Sequence, residues 1–191
     1  MKRLVLALCI SLLAGAAQAA SVFSDDFNGN SSALNATPSG WTVSFGTVDV
    51  IGNGFFDFMP GSGSYIDLDG STRNAGVLTH SLSLVAGNLY TLSFDLAGNH
   101  RNSSLEAVGV LFGTQLGLYS LPMNAGWTHY SMNFTPDRSG GYLLSFAALG
   151  HDNIGMLLDN VSVTTVPEPE TYAMFLAGLG LVGFMARRRK A

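Results

Sequence analysis

Tyr90-Thr91-Leu92-Ser93-Phe94-Asp95-Leu96 decides the fold, because apolar side chains at 90, 92, 94 and 96 alternate with polar ones at 91, 93 and 95. Successive side chains on a strand point to opposite faces, so this period of two marks a strand with one face buried and the other in water. Tyr130, Met132 and Phe134 alternate in the same way with Ser131 and Asn133, as do Tyr142, Leu144, Phe146 and Ala148 with their neighbours. Further strand candidates run over 41–45, 48–51, 65–68, 77–84, 107–112 and 157–163. Turn-forming residues separate them: Gly52-Asn53-Gly54, Gly61-Ser62-Gly63, Gly87-Asn88, Gly98-Asn99 and the stretch from Pro136 to Gly141. No amphipathic helix of useful length interrupts the series, and no internal repeat is visible. About nine short strands at regular spacing predict an all-β sandwich.

The two ends have a different character. Lys2 and Arg3 precede an apolar stretch over 4–13, and Ala17-Gln18-Ala19 supplies small residues at the positions a signal peptidase reads. Residues 1–19 are therefore predicted to be a signal peptide helix, with the mature chain starting at Ala20; the alternative is an uncleaved anchor helix. Cys9, the only cysteine, lies in this segment. The mature chain then has neither thiol nor disulfide, although export leads to a compartment that permits both.

Between the ends, residues 20–165 form the predicted extracellular domain. It carries three arginines (Arg73, Arg101, Arg138) against eleven carboxylates, a net charge of −8. Phosphate recognition needs a basic face, so nucleic acid is excluded as a partner.

The C-terminal stretch, 166–191, reads Val-Pro-Glu-Pro-Glu, then an apolar run over 171–186, then Arg187-Arg188-Arg189-Lys190. As a helix, the sixteen-residue run is about 24 Å long, against about 30 Å of bilayer hydrocarbon. Gly178, Gly180 and Gly183 weaken it further. The basic cluster predicts a cytoplasmic C-terminus and so an exported body. Pro167-Glu168-Pro169, a short apolar helix and Arg187, Arg188 and Arg189 in that order resemble the PEP-CTERM sorting signal of Gram-negative bacteria. The resemblance implies a single transmembrane helix over 171–186 that anchors the chain transiently in the inner membrane. It implies as well recognition by an exosortase that removes the tail, and delivery to the outer surface or an exopolysaccharide and biofilm matrix. An ordinary single-span anchor behind a Pro-rich stalk is the plainer alternative.

The body also resembles a family. Phe23-Ser24-Asp25-Asp26-Phe27, Gly40-Trp41-Thr42-Val43, Tyr65-Ile66-Asp67-Leu68-Asp69-Gly70 and Leu158-Asp159-Asn160-Val161-Ser162-Val163 fall in the order found in galactose-binding-like jelly rolls, which include many carbohydrate-binding modules. The resemblance implies a jelly-roll β-sandwich, core positions for Trp41 and Trp127, and a structural Ca²⁺ between the first and last strands. The matching positions are Asp25 or Asp26 together with Asp159, which otherwise cap turns. Calcium takes six to eight oxygens, so backbone carbonyls would have to complete the shell.

Sugars are held by exposed aromatic faces beside polar groups, and Phe55-Phe56-Asp57-Phe58 offers three aromatics beside a glycine turn. Alternation buries Phe56 and Phe58 on one face or leaves Phe55 with Asp57 on the other. Phe55, Asp57, Tyr119, His100 and Arg101, the last three in loop-like stretches, are the candidate ligand-binding residues. Asp67-Leu68-Asp69-Gly70 reads as a strand end entering a turn. No catalytic residue is assigned: G-x-S-x-G is absent, and the histidines at 80, 100, 129 and 151 lack zinc-helix spacing. The sequence predicts a non-catalytic, exported, polysaccharide-associated protein. The alternative is a carbohydrate-active enzyme whose acids converge only in the fold.

Overall fold

The computed structural model describes residues 19–101, 106–150 and 152–166, and in the tail 177–180, 183, 185, 187 and 188. Eleven strands follow one another among these: β1 (Ala20–Asp25), β2 (Thr42–Phe45), β3 (Asp49–Gly52), β4 (Ser64–Asp67), β5 (Val77–Leu84), β6 (Leu89–Ala97), β7 (Glu106–Phe112), β8 (Gln115–Leu121), β9 (Thr128–Phe134), β10 (Gly140–Ala148) and β11 (Leu157–Val166). They pack as two sheets. The first has the order β3-β4-β11-β6-β9, with β1 also paired to β11, and the second β2-β5-β10-β7-β8. The sandwich expected from the alternation is present.

Register explains why. Tyr90, Leu92, Phe94 and Leu96 pair with Phe134, Met132, Tyr130 and Thr128 of β9, and the four β6 residues are buried against the second sheet. From that sheet come Leu78, Leu82 and Leu84 of β5, Leu144 and Phe146 of β10, and Val108, Val110 and Phe112 of β7. Each such side chain removed from water contributes about 1.5–3 kcal/mol, which is why one apolar face suffices to fix each strand's position. In β11, Leu158 and then Val161 and Val163 all enter this core. That change of parity needs one extra residue, and Asn160 supplies it at φ 52°. Trp41 is also in the core and donates its indole N–H to Asp25 Oδ2 at 2.8 Å.

Two strands were not read from the alternation. β1 falls at the predicted mature start, where only the family resemblance implied a first strand. β8 carries leucines on both faces (Leu116 and Leu118, Leu121), so it shows no alternation to read. Tyr119 therefore lies on a strand, not in a loop. It is half-buried, with its ring edge-on to Phe94 at 5.3 Å and 4.7 Å from Tyr130, and packs with the core.

Residues 53–63 fold back over the outer face of the first sheet. There Phe58, Met59 and Trp127 cover a second small core of Ile51, Tyr65, Ala97 and Leu157. Both cores and the strand ladders fall within the compact unit Ser21–Thr165, with β1 starting one residue before it and β11 ending one residue after it. The predicted signal peptide and most of the predicted membrane run lie outside the described residues. The tail residues that are described are helical, and no helix among the described residues is long and apolar enough to cross a membrane.

Candidate functional site

A small hollow of about 100 Å³ opens on the first sheet, where the 53–63 segment meets the ends of β3 and β4. Its apolar wall is Phe56, Phe58 and Leu34, and its polar wall is Asp49, Asp67 and Arg101. Asp49 and Asp67 are cross-strand partners in β3 and β4, so one hairpin sets two carboxylates side by side.

Each is held rigidly. Asp49 Oδ1 accepts the N–H groups of Asn35 (2.7 Å) and Ser71 (3.3 Å), and its Oδ2 accepts the Ser71 hydroxyl at 2.7 Å. Asp67 Oδ1 accepts the N–H groups of Asp69 and Gly155, which is the strand-end turn the sequence predicts. Gly155 is required there, since a Cβ at that position would collide with Asp67 Oδ1 and the Asp69 backbone. Arg101 Nη2 donates to Asp67 Oδ2 at 2.5 Å and Nη1 to the Asn153 carbonyl at 3.1 Å. Its guanidinium carbon lies 4.7 Å from the centre of the Phe58 ring, a cation–π contact that fixes the plane of the group. Asp67 is 1% exposed, and burial pushes its carboxyl up to about 7 although Arg101 pulls the other way.

Phe56 is 55% exposed and sits at φ 44°. For a bulky side chain that backbone conformation costs about 1–3 kcal/mol, and such strain concentrates at ligand clamps. The 53–63 segment thus spends conformational energy to hold an aromatic face at the mouth of the hollow.

Of the five ligand-binding candidates, only Arg101 lines this hollow. Phe55 packs edge-on to Phe56 at 4.9 Å. Asp57 accepts the Tyr65 phenol at 3.0 Å, while that phenol accepts the Met59 N–H at 2.9 Å; burial, helped by Asp57, pushes the phenol up to about 12. His100 Nε2 lies 3.0 Å from the Ala125 carbonyl. Phe56 and Phe58 take the place expected of Phe55 and Asp57, because the segment turns twice and alternation does not apply to it. Asp49 was missed because its role depends on pairing with β4.

Asp25 and Asp26 line a separate, open hollow of about 560 Å³ together with Asn160, and Asp159 is not part of its lining. Both oxygens of Asp25 accept N–H groups, from Phe27 and Trp41. Asp159 is buried, and burial, followed by the charges of Asp26, Asp95 and Asp25, raises its carboxyl to about 7. Among the described residues, no group of three or more carboxylate, histidine or cysteine side chains is arranged to hold a metal. Asp69 and Glu106 also approach each other, since a methyl at Gly150 would touch a carboxylate oxygen of each. Both are buried and neither lines the hollow beside Arg101. Pro167, Glu168, Pro169, Arg189 and His151 lie outside the described residues.

This is an all-β sandwich of two antiparallel sheets. Among solved structures, it is similar to the CBM22-1 xylan-binding domain of Paenibacillus barcinonensis Xyn10C (13% identity over 81% of this chain and 99% of that one, TM-score 0.50). It is also similar to the C-terminal family 22 module of Clostridium thermocellum Xyn10B (16%, 76% and 93%, TM-score 0.48). A third likeness is to the enzymatically active domain of tailspike protein 4 of bacteriophage CBA120 (17% over 67% of this chain, TM-score 0.48), of which the chain spans 20%. At such identities the likeness is one of fold. Residues 24–164 match the family described as Protein of unknown function (DUF642), and the chain belongs to that family. Residues 165–190 match the PEP-CTERM protein-sorting motif, which marks the chain for export. No curated protein matches the chain.

Proposed function

We propose that this chain is an exosortase-processed surface or matrix protein whose body holds a sugar residue of an extracellular polysaccharide in the hollow beside Arg101. The observation that carries this reading is the aromatic wall of Phe56 and Phe58 facing the fixed polar groups of Asp49, Asp67 and Arg101. Pyranose rings present an apolar C–H face and an equatorial ring of hydroxyls, so they need this combination of surfaces. The fold it shares with a xylan-binding module and the sorting tail support the same reading.

Volume narrows the ligand. About 100 Å³ is room for part of one sugar ring, with the rest of the ligand outside the hollow. A terminal or branch sugar, which can enter end-on, fits it best. The carboxylates of the hollow, Asp49 and Asp67, outnumber its one cation, Arg101, which disfavours acidic sugars and leaves neutral or amino sugars. A glycan array probed with the Ser21–Thr165 body tests this. Selective binding to neutral or amino-sugar termini that Phe56→Ala abolishes is the expected result. Binding confined to acidic glycans would remove the ligand assignment, and binding unaffected by Phe56→Ala would remove the site.

A further inference from the structure

The sandwich has sheet edges that are treated very differently. β3 is covered by the preceding segment, where Ala33 and Val50 exchange backbone hydrogen bonds and Ala36 N–H bonds to the Val48 carbonyl. β2 is four residues long and its register shifts between Val43 and Phe45. β9 pairs regularly with β6 and differs in its outward face, which is polar: His129 and Asn133 bond to Asp95 and Thr91 of β6. A short, bulged or covered edge is how proteins prevent strand addition.

Among the described residues, β8 is neither short, bulged nor covered. It ends the path of its sheet, pairs with β7 over all seven residues without a bulge, and contains no proline or charge. Its outward side chains Leu116 and Leu118 are 78% and 71% exposed. The face continues across β7 and β10 as Gly109, Leu111, Leu143, Ser145 and Ala147. The only charged residue in the five strands of this sheet is Glu106, which is buried.

We propose that two copies of the body pair antiparallel along β8, joining their five-stranded sheets into one continuous sheet. The second copy is the occupant for two reasons. An antiparallel strand pair about a twofold axis is self-complementary: each edge presents the N–H and C=O pattern the other needs. With the axis at Leu118, Leu118 meets its own counterpart and Leu116 meets Ser120, all on the uncharged face. The second reason is charge. A body of net −8 repels its copy at most approaches, and the strands of this edge and face carry no exposed carboxylate, with Asp137 and Arg138 together beside Gln115 at the start of β8. A paired body would present two hollows on one particle, which raises avidity for a polysaccharide with repeated termini.

Sedimentation equilibrium on the Ser21–Thr165 body tests the pairing. The expected result is twice the monomer mass at micromolar concentration, reduced to the monomer mass by Leu118→Glu without a fall in melting temperature. Phe45→Glu, equally exposed on the same face but on the opposite edge strand, should leave the dimer intact. In the full exported chain, Leu118→Cys provides the only thiol after signal cleavage, and a disulfide-linked dimer on a non-reducing gel is expected. A monomer at every concentration, or a dimer that Leu118→Glu leaves intact, would overturn the proposal. So would a dimer that Phe45→Glu breaks equally, which would mean stacked faces, or a monomer whose Leu118→Glu variant loses only polysaccharide binding.

Discussion

The two outer faces of this sandwich solve the same problem in opposite ways. On the first sheet, Thr91, Asp95, His129, Asn133 and Asn160 bond to one another, and the 53–63 segment covers what apolar surface remains. On the second sheet, leucine, alanine and glycine face solvent with no covering segment and no exposed charge in the strands. The first face is closed by the chain's own groups apart from the small hollow beside Arg101 and the open one at Asp25 and Asp26; the second is closed by nothing within the described residues. A sheet face with internal partners can be shaped into a specific site. One without them is suited to a broad contact.

The largest expected effect lies on the first face. Arg101→Ala takes away the cation beside Asp67, whose buried carboxyl then stays protonated, together with the Asn153 bond and the Phe58 contact; about 2–3 kcal/mol is expected, to be read from urea unfolding. Asp67→Asn keeps an acceptor for the Asp69 and Gly155 N–H groups, so it should cost less. If both cost the same as an exposed substitution, the hollow's polar wall is not the rigid element described above.

Phe58→Ala removes the ring that covers Tyr65 and carries the Arg101 guanidinium. Because Phe58 is half-buried, about 2 kcal/mol is expected, below the range for a fully buried phenylalanine. Its counterpart on the other face, Leu118→Ser, should change monomer stability by less than about 0.5 kcal/mol. Equal losses at the two positions would erase the contrast between the faces.

Asp67 and Asp159 have folded-state values of about 7, well above the unfolded carboxylate value of about 3.9. Between those limits the folded chain keeps protons that the unfolded chain has released, so stability falls as pH rises from about 4 to about 7. The body should therefore melt at a higher temperature at pH 5 than at pH 8, and Asp159→Asn should shrink that difference by raising the melting temperature at pH 8. Calcium is the other way to offset the charges around Asp159. A melting temperature indifferent to both calcium and chelator would discard that expectation. The smallest effect is expected of His129→Ala, whose bond to Asp95 is solvent-exposed and contributes about 0.5 kcal/mol or less.

How much of this could be read beforehand follows from the kind of signal each part carries. β6, β9 and β10 announce themselves because their two faces meet different environments and their residues alternate accordingly. β8 does not, because both its faces carry apolar residues; the property that hid it is the one that makes its edge available. Asp67 with Asp69 was legible as a strand end entering a turn, since a bond between residues two apart fixes it. Asp49 with Ser71, and Arg101 with Asp67 thirty-four residues away, depend on register between strands, which alternation does not encode. The placement of Phe56 depends on a left-handed backbone that nothing in Phe55-Phe56-Asp57-Phe58 specifies.

The most direct test is calorimetric titration of the Ser21–Thr165 body with the terminal sugar its glycan array selects, beside Phe56→Ala at matched melting temperature. One saturable site on the parent, lost or weakened at least tenfold in Phe56→Ala, is what the hollow predicts. Equal affinity in the two proteins, or no binding by a body that melts cooperatively, would contradict it.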